Sequence, residues 1–299
     1  MTLLAILISL AVSRLAESVK GLRQMDWFET YVDWVRTRIS SGSVWDGPLG
    51  VFVVIAPIVF ILGWAYVALS SLFGLFGFAF AIVVLVACIG PRDIDKLVQK
   101  YVDAWDYDDT DAINRYAAEL GGKPGKPGSD KNMSILETVL VGTHEQLLGV
   151  VFWFAVLGPV GAVLYRLSAT LEIIAGKELR EWRGFYEAAE VLHGVLDWVP
   201  ARLTTLGYAI TGSFVDALHK WRDKSPEWRE DWIEGNRSVL IAGGTGALQL
   251  DSALDALQDD EMDSVFWLDQ VRAVQALARR TVVLWLTAIA IMTLAGWAG

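Results

Sequence analysis

Charged and polar side chains at the edges of long apolar stretches are the residues of this sequence best placed to do chemistry. An ionisable group beside lipid is energetically costly, so such positions are functional candidates by default. Around the charge-free run 146–165 they are His144, Glu145, Arg166, Thr170, Glu172 and Lys177. Two interpretations stay open for them: the charged groups pair structurally or reach the membrane surface, or they line a shared polar pocket.

A second set of charges lies farther along the chain. Asp197 and Arg202 are separated by Pro200 within the mostly apolar segment 195–217. This segment is either a membrane-embedded helix with functional charges or a helix at the membrane surface. Asp197 is also a candidate ion-pair partner for Arg202, which would make both residues structural.

Other patterns that sometimes carry chemistry are weak here. The three histidines (His144, His193, His219) have no partner at metal-ligand spacing, so we expect packing or surface roles and predict no metal site. Residues 243–246 read Gly-Gly-Thr-Gly but follow no β pattern, which favours a helix end or close packing over a phosphate loop. The acidic run 103–111 lacks the ligand spacing of a calcium loop and fits a solvated helix start.

Three long charge-free runs dictate the fold class. They cover residues 47–91, 146–165 and 281–299, in a chain that is 54% hydrophobic with a mean hydropathy of +0.41. Crossing a bilayer takes about 20 helical residues, and run 47–91 is long enough for two crossings, near 50–69 and 72–90, with a hairpin at Ser70–Ser71. We therefore predict an all-α, polytopic integral membrane protein with four to six membrane helices and amphipathic interfacial helices.

The remaining segments complete this single membrane domain, 1–299. The N-terminal apolar stretch and 195–217 are candidate fifth and sixth membrane helices, and 19–46 has the aromatic and charged pattern of an interfacial helix. Residues 92–145 form a hydrophilic loop with a Gly- and Pro-rich flexible linker at 121–130, and 218–280 a hydrophilic helical segment. Both segments carry many Lys and Arg residues, so we expect both on the cytoplasmic side.

The formal charge of −10 argues against nucleic acid as a partner, because phosphates are bound through Lys and Arg. The lipid bilayer is the partner that the apolar runs imply. A homo-oligomer is compatible with the sequence.

Four short segments resemble one known protein family. Residues 196–204 read Leu-Asp-Trp-Val-Pro-Ala-Arg-Leu-Thr and resemble the Pro-Ala-Arg-Leu-Thr segment of the CobD/CbiB family, the adenosylcobinamide-phosphate synthases of cobalamin biosynthesis. Residues 152–159 resemble its Phe-Tyr stretch ending in Gly-Pro, and 170–177 its Thr-Leu-Asp and Gly-Tyr-Lys elements. Asn236 and residues 246–248 resemble its late Asn and Ala-Gly-Ala-Leu segment. The match is most specific over 144–205.

The sequence departs from the synthase pattern where an acid-amide pair is expected. An ungapped match places Val141-Gly142 at the family's Glu-Asn pair, Glu145-Gln146 at its Asp-Gly, Gly149-Val150 at its Ala-Pro, and Ala169 at an Asn. Joining a carboxylate to an amine with ATP needs anionic metal ligands and polar substrate contacts. We therefore expect no adenosylcobinamide-phosphate synthesis, assign no catalytic residue and leave the cofactor open.

Within this superfamily the chain more closely resembles the non-synthase AmpE branch. The shared residues are Met-Thr-Leu-Leu at 1–4, Phe-Trp at 152–153 and the Leu-Asp-Trp-Val-Pro-Ala-Arg-Leu run at 196–203. This resemblance implies a regulatory or sensory protein of the bacterial inner membrane, associated with β-lactamase induction and functionally linked to the cell-wall amidase AmpD. The alternative is a membrane enzyme of the CobD/CbiB type, a synthase-like ligase, or a related ligand-binding membrane protein.

The residues that keep the synthase pattern define a hypothesis about the pocket. Arg202, Glu172 and Lys177 match charged positions of that pattern although other parts of it are gone. We expect these three side chains to converge on one polar site under the membrane surface, with Asn236 in the same site.

Overall fold

The computed structural model describes residues 2–15, 25–39, 45–72, 74–90, 93–122, 129–177, 182–224, 234–255 and 264–296. Most of the predicted linker 121–130 lies outside the described residues, as does the side chain of Lys177. Within the described ranges the chain is helical and has no strand. The helices are α1 (Thr2–Leu15), α2 (Asp26–Ile39), α3 (Pro48–Leu72), α4 (Gly74–Cys88), α5 (Ile94–Asp106), α6 (Thr110–Glu119), α7 (Ser129–Thr143), α8 (Gly149–Lys177), α9 (Arg183–Thr211), α10 (Phe214–Lys224), α11 (Glu234–Ala247), α12 (Leu250–Asp255) and α13 (Ser264–Leu294), with a π-helical turn at His144–Leu148.

Three helical stretches are long and apolar enough to cross a membrane, which confirms the predicted fold class. They are Pro48–Leu72, Met133–Gly176 and Val265–Leu294, and two shorter apolar helices cover Thr2–Ser13 and Gly74–Cys88. Large apolar side chains of α3, among them Phe52, Phe60 and Trp64, are exposed. In a polytopic protein these side chains face lipid rather than water.

The hairpin predicted at Ser70–Ser71 is displaced toward the C-terminus. Both serines lie inside α3, which continues to Leu72 before α4 begins at Gly74. Ser71 Oγ donates to the backbone carbonyl of Ala68 at 2.8 Å, which satisfies the hydroxyl group inside the helix. The prediction treated these serines as turn residues, and this local hydrogen bond shows how the Ser71 side chain fits inside the helix instead.

The apolar run 146–165 is helical, but it is interrupted at Gly158. This residue has φ 66° and ψ −153° inside α8, a conformation open to glycine because it has no Cβ. Pro159 follows and cannot donate a backbone hydrogen bond. The predicted Gly-Pro position inside the helix is therefore a kink that joins two helical stretches.

The segment 195–217, predicted as one helix either in the membrane or at its surface, is divided. Helix α9 ends at Thr211, and α10 begins at Phe214 after Gly212 and Ser213. Ser213 N–H donates to the carbonyl of Ala247 at 2.9 Å. Gly212 packs so closely on Ala247 that a Cβ would lie 2.6 Å from its carbonyl oxygen. The real helix ends at Thr211, where the backbone contacts α11, so the predicted helix was too long.

The chain folds into two compact units, each assembled from segments that are distant in sequence. Unit 1 comprises Met1–Pro91, Gly149–Trp198 and Ala288–Gly299, and unit 2 comprises Arg92–Leu148 and Val199–Thr287. In unit 1, α1 is joined to α4 by a hydrogen bond from Ser9 Oγ to the carbonyl of Ile82 at 3.4 Å. The interfacial helix α2 buries a stripe formed by Phe28, Val32 and Val35, the spacing of an amphipathic helix.

Unit 2 is built around an apolar core from the two hydrophilic segments. Residues 93–122 and 129–145 of the predicted loop are largely helical, and their buried side chains join those of α9, α11 and α13. Members of this core include Val98, Leu136, Leu140, Tyr208, Leu240 and Val274. Asp109 caps α6 by accepting from the N–H of Ala112 at 3.0 Å. The end of the acidic run therefore marks a helix start, as predicted, whereas Asp103 and Asp106 lie in the last turn of α5.

Candidate functional site

The candidate residues fall into two groups, one in each unit. Unit 1 holds Arg166, Thr170, Glu172, Lys177 and Asp197. Unit 2 holds His144, Glu145, Arg202 and Asn236. The predicted convergence of Arg202, Glu172 and Lys177 stays a prediction.

In unit 1, polar residues share one face on each of two helices. Tyr165, Ser168 and Glu172 are spaced by three and four residues along α8, while His193 and Asp197 are four apart on α9. Residues at these spacings lie on one side of a helix. All of them except Glu172 are buried or nearly so.

Hydrogen bonds join these two faces. Tyr165 Oη donates to Asp197 Oδ1 at 2.8 Å, and Ser168 Oγ lies 3.2 Å from His193 Nδ1. On the other side of the imidazole ring, His193 Nε2 lies 3.8 Å from Glu172 Oε2. Gly149 is required beside Tyr165, because a Cβ there would overlap the phenol group.

The chain of contacts from Ser168 through His193 to Glu172 resembles a nucleophilic triad. Its geometry, however, argues for a structural role. Ser168 is 1% exposed, so substrate cannot reach its hydroxyl group. That hydroxyl donates to the carbonyl of Tyr165 at 2.8 Å, within its own helix. Buried polar groups that find partners in this way hold two helices in one register.

Thr170 and Arg166 also lie on α8. Thr170 Oγ1 donates to the carbonyl of Arg166 at 2.9 Å, and it lies 3.6 Å from Met25 Sδ. The Thr170 hydroxyl is therefore occupied by local contacts.

In unit 2, Arg202 and Asn236 form a hydrogen-bonded pair that extends from the interior to the surface. Arg202 Nη1 donates to Asn236 Oδ1 at 2.8 Å; Asn236 is 3% exposed, and Arg202 is partly exposed. The buried amide therefore holds the guanidinium group of a partly exposed side chain in one orientation. A planar guanidinium held in this way matches the fork geometry of a carboxylate or phosphate.

His144 is fully buried and lies in the π-helical turn between α7 and α8. Its Nδ1 lies 2.9 Å from Thr204 Oγ1, which is also fully buried. This agrees with the predicted packing role of the residue. Glu145 next to it is partly buried.

The Gly-Gly-Thr-Gly sequence lies in the last turns of α11 and packs against three neighbouring elements. A Cβ on Gly243 would overlap the side chain of Thr205, one on Gly244 would lie 2.5 Å from both methyl groups of Leu140, and one on Gly246 would lie 2.8 Å from the backbone of Ala217. The close-packing interpretation is thus confirmed. Of these glycines, Gly243 is the one that lets α11 approach α9, the helix that carries Arg202.

The two positions that were expected to replace the synthase acid-amide pair are closed. Val141 is 1% exposed in the core of unit 2. Gly142 is also buried, and a Cβ there would lie 3.3 Å from the side chain of Ile94. Neither position offers an open polar surface to a metal ion.

The residues missed by sequence reasoning are Tyr165, Ser168 and Thr204; His193 was expected to be a packing or surface residue. Their three- and four-residue spacings relative to Glu172 and Asp197 are present in the sequence. That signal shows which residues share a face of a helix, but it does not show which helix that face meets.

Comparison with known proteins gives the family. The family model described as CobD/Cbib protein matches residues 2–250. The chain belongs to the CobD/Cbib family. Among its relatives, the "Cobalamin biosynthesis protein CobD" of Stutzerimonas stutzeri (strain A1501) is 31% identical over 190 residues, covering 63% of this chain and 60% of that protein.

Two further relatives carry similar names. The "Cobalamin biosynthesis protein CobD" of Chromobacterium violaceum is 36% identical over 113 residues, covering 38% of this chain and 35% of that protein. The "Probable cobalamin biosynthesis protein CobD" of Thermococcus kodakarensis is 23% identical over 201 residues, covering 66% and 67%. The aligned part of the chain thus spans 60% and 35% of the first two CobD proteins. No solved structure matches the chain.

These findings correct the function expected from the sequence. The AmpE-type regulatory role in β-lactamase induction is wrong as the main interpretation, because the relatives are cobalamin biosynthesis proteins. The expectation rested on residues 1–4, 152–153 and 196–203, and these short segments do not distinguish the branches of the family. The alternative, a membrane protein of the CobD/CbiB type, fits better.

Proposed function

We propose that this chain is a ligand-binding membrane protein of cobalamin biosynthesis that recognises a corrinoid intermediate through an anionic group at Arg202. The family match over residues 2–250 and the cobalamin-related names of the relatives support the pathway. The observation that carries the choice of site is the hydrogen bond from Arg202 to the buried amide of Asn236. A multi-pass location in the bacterial cytoplasmic membrane belongs to the proposal, and the apolar helices support the membrane part of it.

Binding without ligation is the form of this function that the residues favour. Val141 and Gly142 occupy the positions of the synthase acid-amide pair, and both are buried. ATP-dependent ligation needs charge-neutralising groups at the phosphates. An oriented Arg202 supplies an anion contact without requiring those groups.

The test uses two corrinoids that differ by one phosphate. Purified protein in detergent is titrated with adenosylcobinamide phosphate and with adenosylcobinamide, and binding is followed by the visible absorbance of the corrin ring. We expect the phosphate form to bind at least tenfold more tightly, because a charge-assisted contact contributes about 1.5–3 kcal/mol. Failure of the folded wild-type protein to bind either corrinoid would overturn the proposal.

Variants locate the binding at this site. Arg202→Ala is expected to remove the preference for the phosphate form, and Arg202→Lys to restore part of it, since Lys cannot make the bidentate contact. Arg237→Ala is the matched control, because Arg237 is the exposed neighbour of Asn236 on α11. Equal loss in the Arg237 and Arg202 variants would show general electrostatic attraction instead of a site.

A further inference from the structure

A pocket in unit 1, distant in sequence from Arg202, has the properties of a lipid site. It is a partly open groove whose empty space, counted together with the open solvent at its mouth, is about 550 Å³. Apolar and aromatic side chains form most of its lining, including Val32, Val54, Ile174, Trp182 and Phe185. Asp33 and Arg36 of α2 are its two charged lining residues.

The walls of this pocket are held in place by local contacts. Asp46 Oδ1 accepts from the backbone N–H of Phe185 at 2.9 Å, which fixes the segment before α3 at the start of α9. Gly50 allows the close approach, because a Cβ there would lie 3.0 Å from the Phe185 ring. The Arg36 guanidinium lies over the Trp182 ring, 6.0 Å from its centroid. The cation is thus positioned against an aromatic wall.

The elements around the pocket are those expected at a membrane surface. Trp27 and Trp34 on α2 are 51% and 54% exposed, and Tyr31 stacks between Phe28 and Trp34. Half-exposed aromatic residues on an amphipathic helix are typical of the bilayer interface. The opposite wall is formed by Gly50 and Val54 near the start of the apolar helix α3. Phe52, which lies between them in the sequence, is 68% exposed. The pocket therefore lies where an interfacial helix meets the start of a membrane-spanning one.

We propose that this pocket binds a phospholipid with a primary ammonium headgroup, namely phosphatidylethanolamine. One acyl chain would occupy the aromatic and aliphatic lining, Arg36 would contact the phosphate, and Asp33 would contact the ammonium group. The opposite charges of Asp33 and Arg36, three residues apart on one side of α2, match the opposite charges of this headgroup. A purely anionic headgroup would meet the Asp33 carboxylate unfavourably.

The test measures which lipid stays bound. The full chain is reconstituted in nanodiscs of equal parts phosphatidylethanolamine, phosphatidylglycerol and phosphatidylcholine, then extracted into mild detergent, and retained lipid is identified by native mass spectrometry. We expect one phosphatidylethanolamine per chain. Equal retention of the three lipids, or retention of phosphatidylglycerol in preference, would overturn the proposal.

Variants separate the headgroup contacts from the chain contacts. Arg36→Gln is expected to lower retention of phosphatidylethanolamine about tenfold, the value of one charge-assisted contact. Arg38→Gln is the matched control, because Arg38 lies on the same helix over Trp34 and does not line the pocket. Asp33→Asn should equalise phosphatidylethanolamine and phosphatidylglycerol.

Ala175→Phe fills the pocket from α8 without altering either charge, and it should abolish retention of any lipid. Each variant is compared with the wild type by thermal unfolding, so that loss of lipid is scored only in folded protein. Asp33 is exposed and Arg36 partly so, so their variants keep the test decisive if Ala175→Phe does not fold. Wild-type retention in both Arg36→Gln and Asp33→Asn would show that the pocket does not recognise this headgroup.

Discussion

Replacing Gly246 by Ala tests the packing that brings Asn236 to Arg202. In the wild-type structure a Cβ on Gly246 would lie 2.8 Å from the α-carbon of Ala217 and 2.8 Å from the carbonyl oxygen of Asp216, whereas ordinary contact begins near 3.4 Å. Both neighbouring atoms belong to the backbone of the Ser213–Ala217 turn and cannot rotate away. Helix α11 must therefore move, or the start of α10 must.

The size of the effect follows from this overlap. Overpacking a close contact costs about 1–3 kcal/mol, which exceeds the gain of up to about 1 kcal/mol from replacing glycine in a helix. We expect a net loss of stability of up to about 2 kcal/mol and a decrease in Tm of up to roughly 8 °C. The shift should also weaken corrinoid binding, because Asn236 lies on the same helix and orients Arg202.

The assay is thermal unfolding in detergent followed by tryptophan fluorescence. Gly63→Ala is the matched control, since a Cβ there meets only Val160 Cγ2 at 3.6 Å, an ordinary contact. It should leave Tm unchanged or raise it slightly. If Gly246→Ala is as stable as Gly63→Ala and binds corrinoid normally, the close approach of α11 does not position the site.

Three further predictions concern topology, chemistry and pH. Single cysteines at Lys126 and Lys224, with the native cysteine replaced by Ser, should both resist a membrane-impermeant thiol reagent in intact cells; labelling of one alone would break the predicted topology. Because the acid-amide pair is absent at 141–142, the chain should fail to complement a synthase-null strain under cobalamin-requiring growth, and growth would contradict the binding-only form of the proposal. Hydrogen bonds from Ser213 and Gln249 lower the pKa of Asp216, so its stabilising contribution is present at neutral pH and is lost as the pH falls through that lowered value. Ser213→Ala should raise this pKa toward its ordinary value in a carbon-13 NMR titration, and an unchanged pKa would rule out this hydrogen bond as a cause.

The helical membrane class could be predicted because it depends on how apolar residues are concentrated in long runs of the sequence. A long charge-free run such as 47–91 is expected to form membrane helices. In lipid no water is available, so each backbone N–H and C=O group must find its hydrogen-bond partner within the protein. Family membership also came from local sequence, chiefly residues 196–204, and the comparisons confirmed it while correcting the branch. The exact ends of the helices were harder to predict, as Ser70 and Ser71 show. A serine that lies inside a helix and a serine that begins a turn look the same in the sequence.

The partners of the candidate residues were decided by the tertiary structure. Asp197 was a natural sequence partner for Arg202, yet its described hydrogen bond is with Tyr165, and Arg202 bonds to Asn236, 34 positions away. Helical spacing places Tyr165, Ser168 and Glu172 on one face, but which face of which helix lies opposite depends on interhelical packing. That packing depends in turn on features such as Gly246, where the absence of a side chain permits a backbone contact. Sequence periodicity carries information within a helix, and contacts between helices separated by many residues are determined only when the chain folds.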